Sequence, residues 1–127
     1  MDRVASQVNQ FVLKKSTRFI AALQASGFQV QSAYLYGSHA KGRARRDSDI
    51  DIAIVSKDLS GDWLDDYCRL TRIADRIDVR MEVIAFLPQD FHEQNPLVWE
   101  IKSFGISLIE NVKHKRRAPI KPTRKRA

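Results

Sequence analysis

The run from Gly37 to Asp51, GSHAKGRARRDSDID, most constrains what this chain can become. It separates two apolar stretches, Ala33-Tyr34-Leu35-Tyr36 and Ile52-Ala53-Ile54-Val55, so it reads as the connection between two strands. It opens on Gly37-Ser38, passes through Lys41, Arg43, Arg45 and Arg46, and closes on two carboxylates, Asp49 and Asp51, spaced i, i+2. Backbone amides, cationic side chains and hard oxygen ligands are what a protein needs to hold a metal-bound triphosphate.

The rest of the chain bounds the setting. Its 127 residues suit one domain. A composition 43% hydrophobic and 29% charged fits a soluble globular chain. No stretch approaches the roughly 20 apolar residues of a membrane helix. The start, Met1 to Ser6, carries an acid and no apolar core, so it is not read as a signal peptide. Cys68 is the only cysteine, which excludes an internal disulfide and sets a cytoplasmic location as the expectation.

The net charge of +7 is unevenly spread. Residues 113–127 hold eight Lys or Arg and no acid, which leaves 14 basic against 15 acidic residues in 1–112. The expectation is a nearly neutral domain over 1–112 and a basic, disordered tail over 113–127, with Pro119 and Pro122 in it.

Hydrophobic spacing supplies the remaining elements. Val4, Val8, Phe11, Val12, Phe19, Ile20 and Leu23 predict a helix over 2–26, stopped by Gly27. Strands are expected over 28–36, 49–55 and 79–86. Asp58 or Ser60 is expected to cap a helix with Trp63, Leu64, Tyr67, Leu70, Ile73 and Ala74 on one face. A short helix over 97–104 and a small strand over 106–109 complete the order α-β-β-α-β-α-β. The fold class is α/β (α+β), a small mixed sheet flanked by helices.

Alternation along a strand points Asp49 and Asp51 the same way and sends Ile50, Ile52 and Ile54 into the core. Two adjacent carboxylates repel, and a divalent cation such as Mg²⁺ reverses that cost. Gly37 permits close backbone approach, and Ser38 can begin a short helix whose free amides face an anion. The basic side chains of the loop then lie within reach of phosphates, with Arg45 and Arg46 the more distant. His39 reads more readily as a solvated loop histidine than as a phosphate contact. Trp63 and Trp99 read as core or interface residues before base-stacking platforms, and Tyr34 and Tyr36 read as packing residues beside the motif before one of them lines the site.

With Gly37-Ser38, ten intervening residues and Asp49-Ile50-Asp51, the chain resembles the nucleotidyltransferases of the DNA polymerase β superfamily, above all the minimal nucleotidyltransferase (MNT) group. The resemblance covers roughly residues 28–110 and implies a nucleotidyltransferase fold. It implies a third carboxylate on a later strand, for which Glu82, in the middle of an otherwise apolar strand, is preferred to Asp78 at the turn before it. It further implies two Mg²⁺ ions on Asp49, Asp51 and Glu82, and ATP as substrate. Gly37, Ser38, Lys41 and Arg43 would then hold the triphosphate.

Relatives that modify antibiotics or tRNA carry a further helical domain for the acceptor, and after Ile109 only a tail follows in this sequence. The resemblance therefore points to a partner that completes the site. MNT proteins are commonly paired with a HEPN-family toxin, and the reading is an antitoxin that transfers AMP to a tyrosine of that toxin. The alternatives are an antitoxin acting by binding alone, and nucleotidyl transfer to RNA or a small molecule, the latter suggested by the basic tail.

Overall fold

In the computed structural model, which describes residues 8–109, each helix begins where the sequence places an Asn or Asp cap. The Asn9 side chain accepts from the Phe11 amide and starts α1, Gln10–Ala25. Asp62 accepts from the amides of Leu64 and Asp65 and starts α2, Trp63–Asp75. Asn95 accepts from the Leu97 amide and starts α3, Pro96–Phe104, with proline in its first turn. Each such cap satisfies amides with no intrahelical partner and contributes about 1 kcal/mol.

The strands are β1 (Val30–Tyr36), β2 (Ile50–Ser56), β3 (Met81–Phe86) and the two-residue β4 (Ile106–Ser107), with a 3₁₀ turn over Pro88–Asp90. The order is the expected α-β-β-α-β-α-β, and the sheet runs β3-β2-β1-β4. β2 and β4 lie antiparallel to β1, whereas β3 lies parallel to β2, reached through the α2 crossover. This is the mixed sheet that the sequence predicts.

Alternation divides the strands between two cores. Ile50, Ile52, Ile54, Met81 and Val83 pack on one face with Val12, Phe19 and Leu23 of α1 and Leu70, Ile73 and Ala74 of α2. Ala53, Val55 and Phe86 pack on the other with Val98 and Ile101 of α3. The sheet is thus buried on both sides, which accounts for the almost continuous apolar run of β2.

Three expectations shift. The helix predicted over 2–26 begins at Gln10, after the Asn9 cap, and residues 1–7 lie outside the described residues. Neither Asp58 nor Ser60 caps α2; Asp58 instead accepts the Gln29 amide at 2.6 Å, tying the loop after β2 to the segment before β1. The apolar face of α2 is also rotated. Asp66 turns inward to accept the amides of Ser60 and Gly61, so Leu70, Ile73 and Ala74 are buried while Leu64 and Tyr67 face outward and Trp63 is 75% exposed. The expected tail at 113–127 lies outside the described residues.

Candidate active site

The register of the sheet assembles the carboxylates. Tyr36 of β1 pairs with Asp51 of β2, and Asp51 pairs with Glu82 of β3, so the three stand in one row across neighbouring strands. Their neighbours Leu35, Ile50, Ile52, Met81 and Val83 are buried on the α1–α2 side. The row therefore faces the α3 side. Asp49, two residues before Asp51, precedes the strand and is exposed. Asp49, Asp51 and Glu82, three expected site residues, thus converge at one end of the sheet.

The electrostatics report this crowding. Burial, then the charges of Asp49 and Glu82, push the Asp51 carboxyl up to about 6. Burial, with Asp51, Glu100 and Glu82 nearby, pushes the Tyr36 hydroxyl up to about 12, so it is a phenol at neutral pH. The α3 residue Glu100 is thus a fourth carboxylate at the site. Sequence reasoning missed it, since no motif surrounds it. The lysine it pairs with, Lys41, was the only pointer.

The loop closes over this row as turns, not as the short helix expected at Ser38. Lys41, Gly42 and Arg43 donate their amides to the carbonyls of Gly37, His39 and Ser38. The amides of Ser38, His39 and Ala40 make no hydrogen bond among the described residues, so the turn still offers the unpaired donors of an anion-binding nest. Gly37 has φ 77°, and a Cβ there would fall on Asp51 Oδ2, so glycine is required both by the turn and by the carboxylate beneath it. Lys41 is already engaged. Its Nζ lies 3.1 Å from Glu100 Oε2 and 5.2 Å from the Phe104 ring centre. Arg43 is exposed.

Other loop residues depart from expectation. His39 is only 5% exposed rather than solvated; its ring bonds the Ser48 backbone and so pins the two ends of the loop together. Arg45 and Arg46 line a cleft shared with α1 and are not gathered with the carboxylates. Trp63 and Trp99 are surface residues, which removes the core reading for both. Asp78, the alternative third carboxylate, is committed elsewhere: it accepts from Lys15 Nζ and Arg80 Nη2 at 2.8 Å each. Arg80 Nη1 also donates to the Arg46 carbonyl at 2.7 Å, clamping the loop to β3.

The donor set suits a hard divalent cation. The Asp51 side chain makes no hydrogen bond or ion pair among the described residues, and its carboxylate is crowded by two others. Among the described residues no three His, Cys, Asp or Glu side chains stand as a ready-made cage. Mg²⁺ does not require one, since one or two carboxylates, waters and substrate phosphates complete its shell. Asp49 and Asp51 would hold such an ion, with Glu82 alongside.

No helix among the described residues is long and apolar enough to cross a membrane. No curated protein matches the chain. Two crystal structures resemble it in fold. One is a toxin–antitoxin MntA–HpeT mutant with two aspartates, two positions apart, changed to glutamate; it is 22% identical at TM-score 0.54, over 73% of this chain and 71% of that one. The other is a toxin–antitoxin with AMP-PNP, 23% identical at TM-score 0.53, over 72% of this chain and 71% of that one. The model of the polymerase beta nucleotidyltransferase family matches residues 19–114, about three quarters of the chain, and the chain belongs to that family.

Proposed function

We propose that this chain is a magnesium-dependent nucleotidyltransferase that moves AMP from ATP to a hydroxyl, and that the hydroxyl is a tyrosine of a HEPN-type toxin for which the chain is the antitoxin. The observation that carries the reading is the row of Asp51 and Glu82, with Asp49 beside it, under the Gly37–Ser38 turn. Asp49 and Asp51 would bind the metal and orient the triphosphate. The unpaired amides after Gly37, with Ser38, would cradle its outer phosphates, and Arg43 would neutralise them. Lys41 would be exchanged from Glu100 to phosphate or hold the loop on α3. Bound Mg²⁺ supplies charge neutralisation on the phosphates and a lower pKa for the attacking hydroxyl.

The acceptor oxygen attacks the α-phosphorus, the bond from that phosphorus to the bridging oxygen breaks, and pyrophosphate leaves. Glu82, exposed at the row's edge, accepts the acceptor's proton and passes it to water. The fold likeness to two toxin–antitoxin structures, one with AMP-PNP, supports the partner and the nucleotide. Trp99, 51% exposed, and Phe104 stand edge to face on α3 beside the Lys41–Glu100 pair, and offer an aromatic surface for a protein acceptor. We assign residues 1–112 to the catalytic domain and 113–127 to a basic appendage for partner or nucleic-acid contact. The exposed free thiol of Cys68 supports a reducing, cytoplasmic setting.

The test is incubation of the chain with ATP, Mg²⁺ and the product of its neighbouring gene, followed by intact-mass measurement. Mass gains in multiples of AMP on that product are expected; none would overturn the reading. A second reading, an antitoxin that neutralises by binding alone, is kept open by a glutamate, Glu82, standing as the third carboxylate. It requires that Asp49→Asn with Asp51→Asn leave neutralisation intact, whereas the catalytic reading requires its loss.

A further inference from the structure

The loop has a second side. Opposite the carboxylate row, on the face of the sheet that carries α1, lies a cleft of about 690 Å³. Phe11 and Lys15 of α1, His39, Arg45 and Arg46 of the loop, and Arg80 before β3 line it. Its charge is strongly one-sided. Lys15 and Arg80 share a single carboxylate, Asp78, and no acidic side chain lines the cleft itself. Arg45 and Arg46 make no side-chain ion pair among the described residues.

Two further observations narrow what this basic cleft would take. His39 Nε2 is the one buried side-chain nitrogen or oxygen without a hydrogen-bond partner among the described residues. Burial, the largest influence on that ring, holds its pKa below the ordinary value, so the floor of the cleft adds no positive charge and the phosphate contacts fall to the arginines. Phe11, 72% exposed although it lies one residue from the buried Val12, presents a ring at the rim. An arginine pair matches phosphate geometry, an open ring is a platform for a base, and the volume is that of a small-ligand site.

We propose that this cleft is a second phosphate-ester site that takes a nucleotide unit, free or as part of an RNA chain, on the face opposite the carboxylates. The phosphate sits between Arg45 and Arg46 and the base lies on Phe11, above the buried His39 that anchors the loop. Because residues 38–49 form both this cleft and the catalytic turn, a nucleotide bound behind the loop holds it in the closed form described above. The site does not depend on the transfer chemistry proposed for the other face.

The experiment uses the full-length Asp49→Asn, Asp51→Asn protein, ¹⁵N-labelled, in EDTA, so that metal-dependent binding on the carboxylate face is absent. AMP, inorganic pyrophosphate and a single-stranded oligoribonucleotide are titrated separately. Saturable amide shifts are expected at Lys15, Gly42, Ala44, Arg45 and Arg46, and AMP is expected to bind more tightly than pyrophosphate through the Phe11 ring. Further Arg45→Gln and Arg46→Gln changes, both at exposed positions, should weaken binding by about tenfold or more with the rest of the spectrum unmoved. Tighter binding of the oligoribonucleotide with a steep salt dependence assigns the unit to RNA, and equal or weaker binding assigns it to a free nucleotide. The proposal is overturned if no probe saturates, if shifts are confined to Gly37, Ser38 and Glu82, or if the double arginine change leaves binding unaltered.

Discussion

Gly37 and Asp51 share one volume: the Asp51 carboxylate fills the space where a side chain on residue 37 would begin. Gly37→Ala must both strain a turn at φ 77° and displace a carboxylate of the proposed metal pair. We expect a stability loss of about 1–3 kcal/mol, read from urea unfolding, and loss of nucleotidyl transfer. An alanine variant with wild-type transfer would separate the turn from the chemistry.

Asp51 is held against its own electrostatics. Its folded-state carboxyl is raised to about 6, so ionisation disfavours the fold as pH rises from the ordinary carboxylate range to that value. The sign predicts that Asp51→Asn stabilises the metal-free protein at pH 7, by about 1 kcal/mol after allowing for solvent screening of a half-buried group. The melting temperature should rise by roughly 4 °C at pH 7 and not at pH 4, while transfer is lost. A lower melting temperature at pH 7 would mean that the carboxylate crowding is relieved in solution.

The Lys15–Asp78–Arg80 network works in the opposite direction. The Arg80 guanidinium, the largest influence, overcomes the opposing effect of burial and, with a lesser contribution from Lys15, holds the Asp78 carboxyl well below the usual range. Its contribution is complete above the ordinary carboxylate pKa and is lost as pH falls below it. Asp78→Ala should cost about 2 kcal/mol at pH 7 and much less near pH 2, measured by denaturant melts across pH. Because Arg80 also holds the Arg46 carbonyl, faster amide exchange over the loop is expected with it.

Glu82 allows a cleaner separation of fold from function. Its side chain is exposed and makes no hydrogen bond or ion pair among the described residues, so Glu82→Gln should shift stability by less than about 0.5 kcal/mol. If it is the proton acceptor, kcat falls by about 10²-fold or more with little change in ATP binding. An unchanged kcat would assign the proton to solvent.

The sequence made the order of elements, the mixed sheet and the gathering of Asp49, Asp51 and Glu82 legible, because each rests on local periodicity or on one fixed spacing. What it hid depends on contacts between segments distant in the chain. Glu100 reaches the site only because α3 packs on Ala53 and Val55, and nothing within its own helix marks it. Asp66 turns α2 away from its simplest apolar face by bonding amides five and six residues earlier. His39 is polar in sequence yet buried in the fold, since the Arg45–Ser48 turn folds back across it. The same folding-back moved Arg45 and Arg46 to the far side of the loop.

The parallel pairing of β2 with β3 has a consequence for the order of events during synthesis. β1 and β2 form an antiparallel pair joined by a local loop, but the strand bearing Glu82 docks only after the whole α2 crossover is in place. A nascent chain stalled before Met81 would hold the glycine turn and both aspartates, and nothing with which to accept a proton. Non-local pairings close late. On the mechanism proposed above, an incomplete copy would therefore carry the turn and both aspartates without the proton acceptor that β3 supplies.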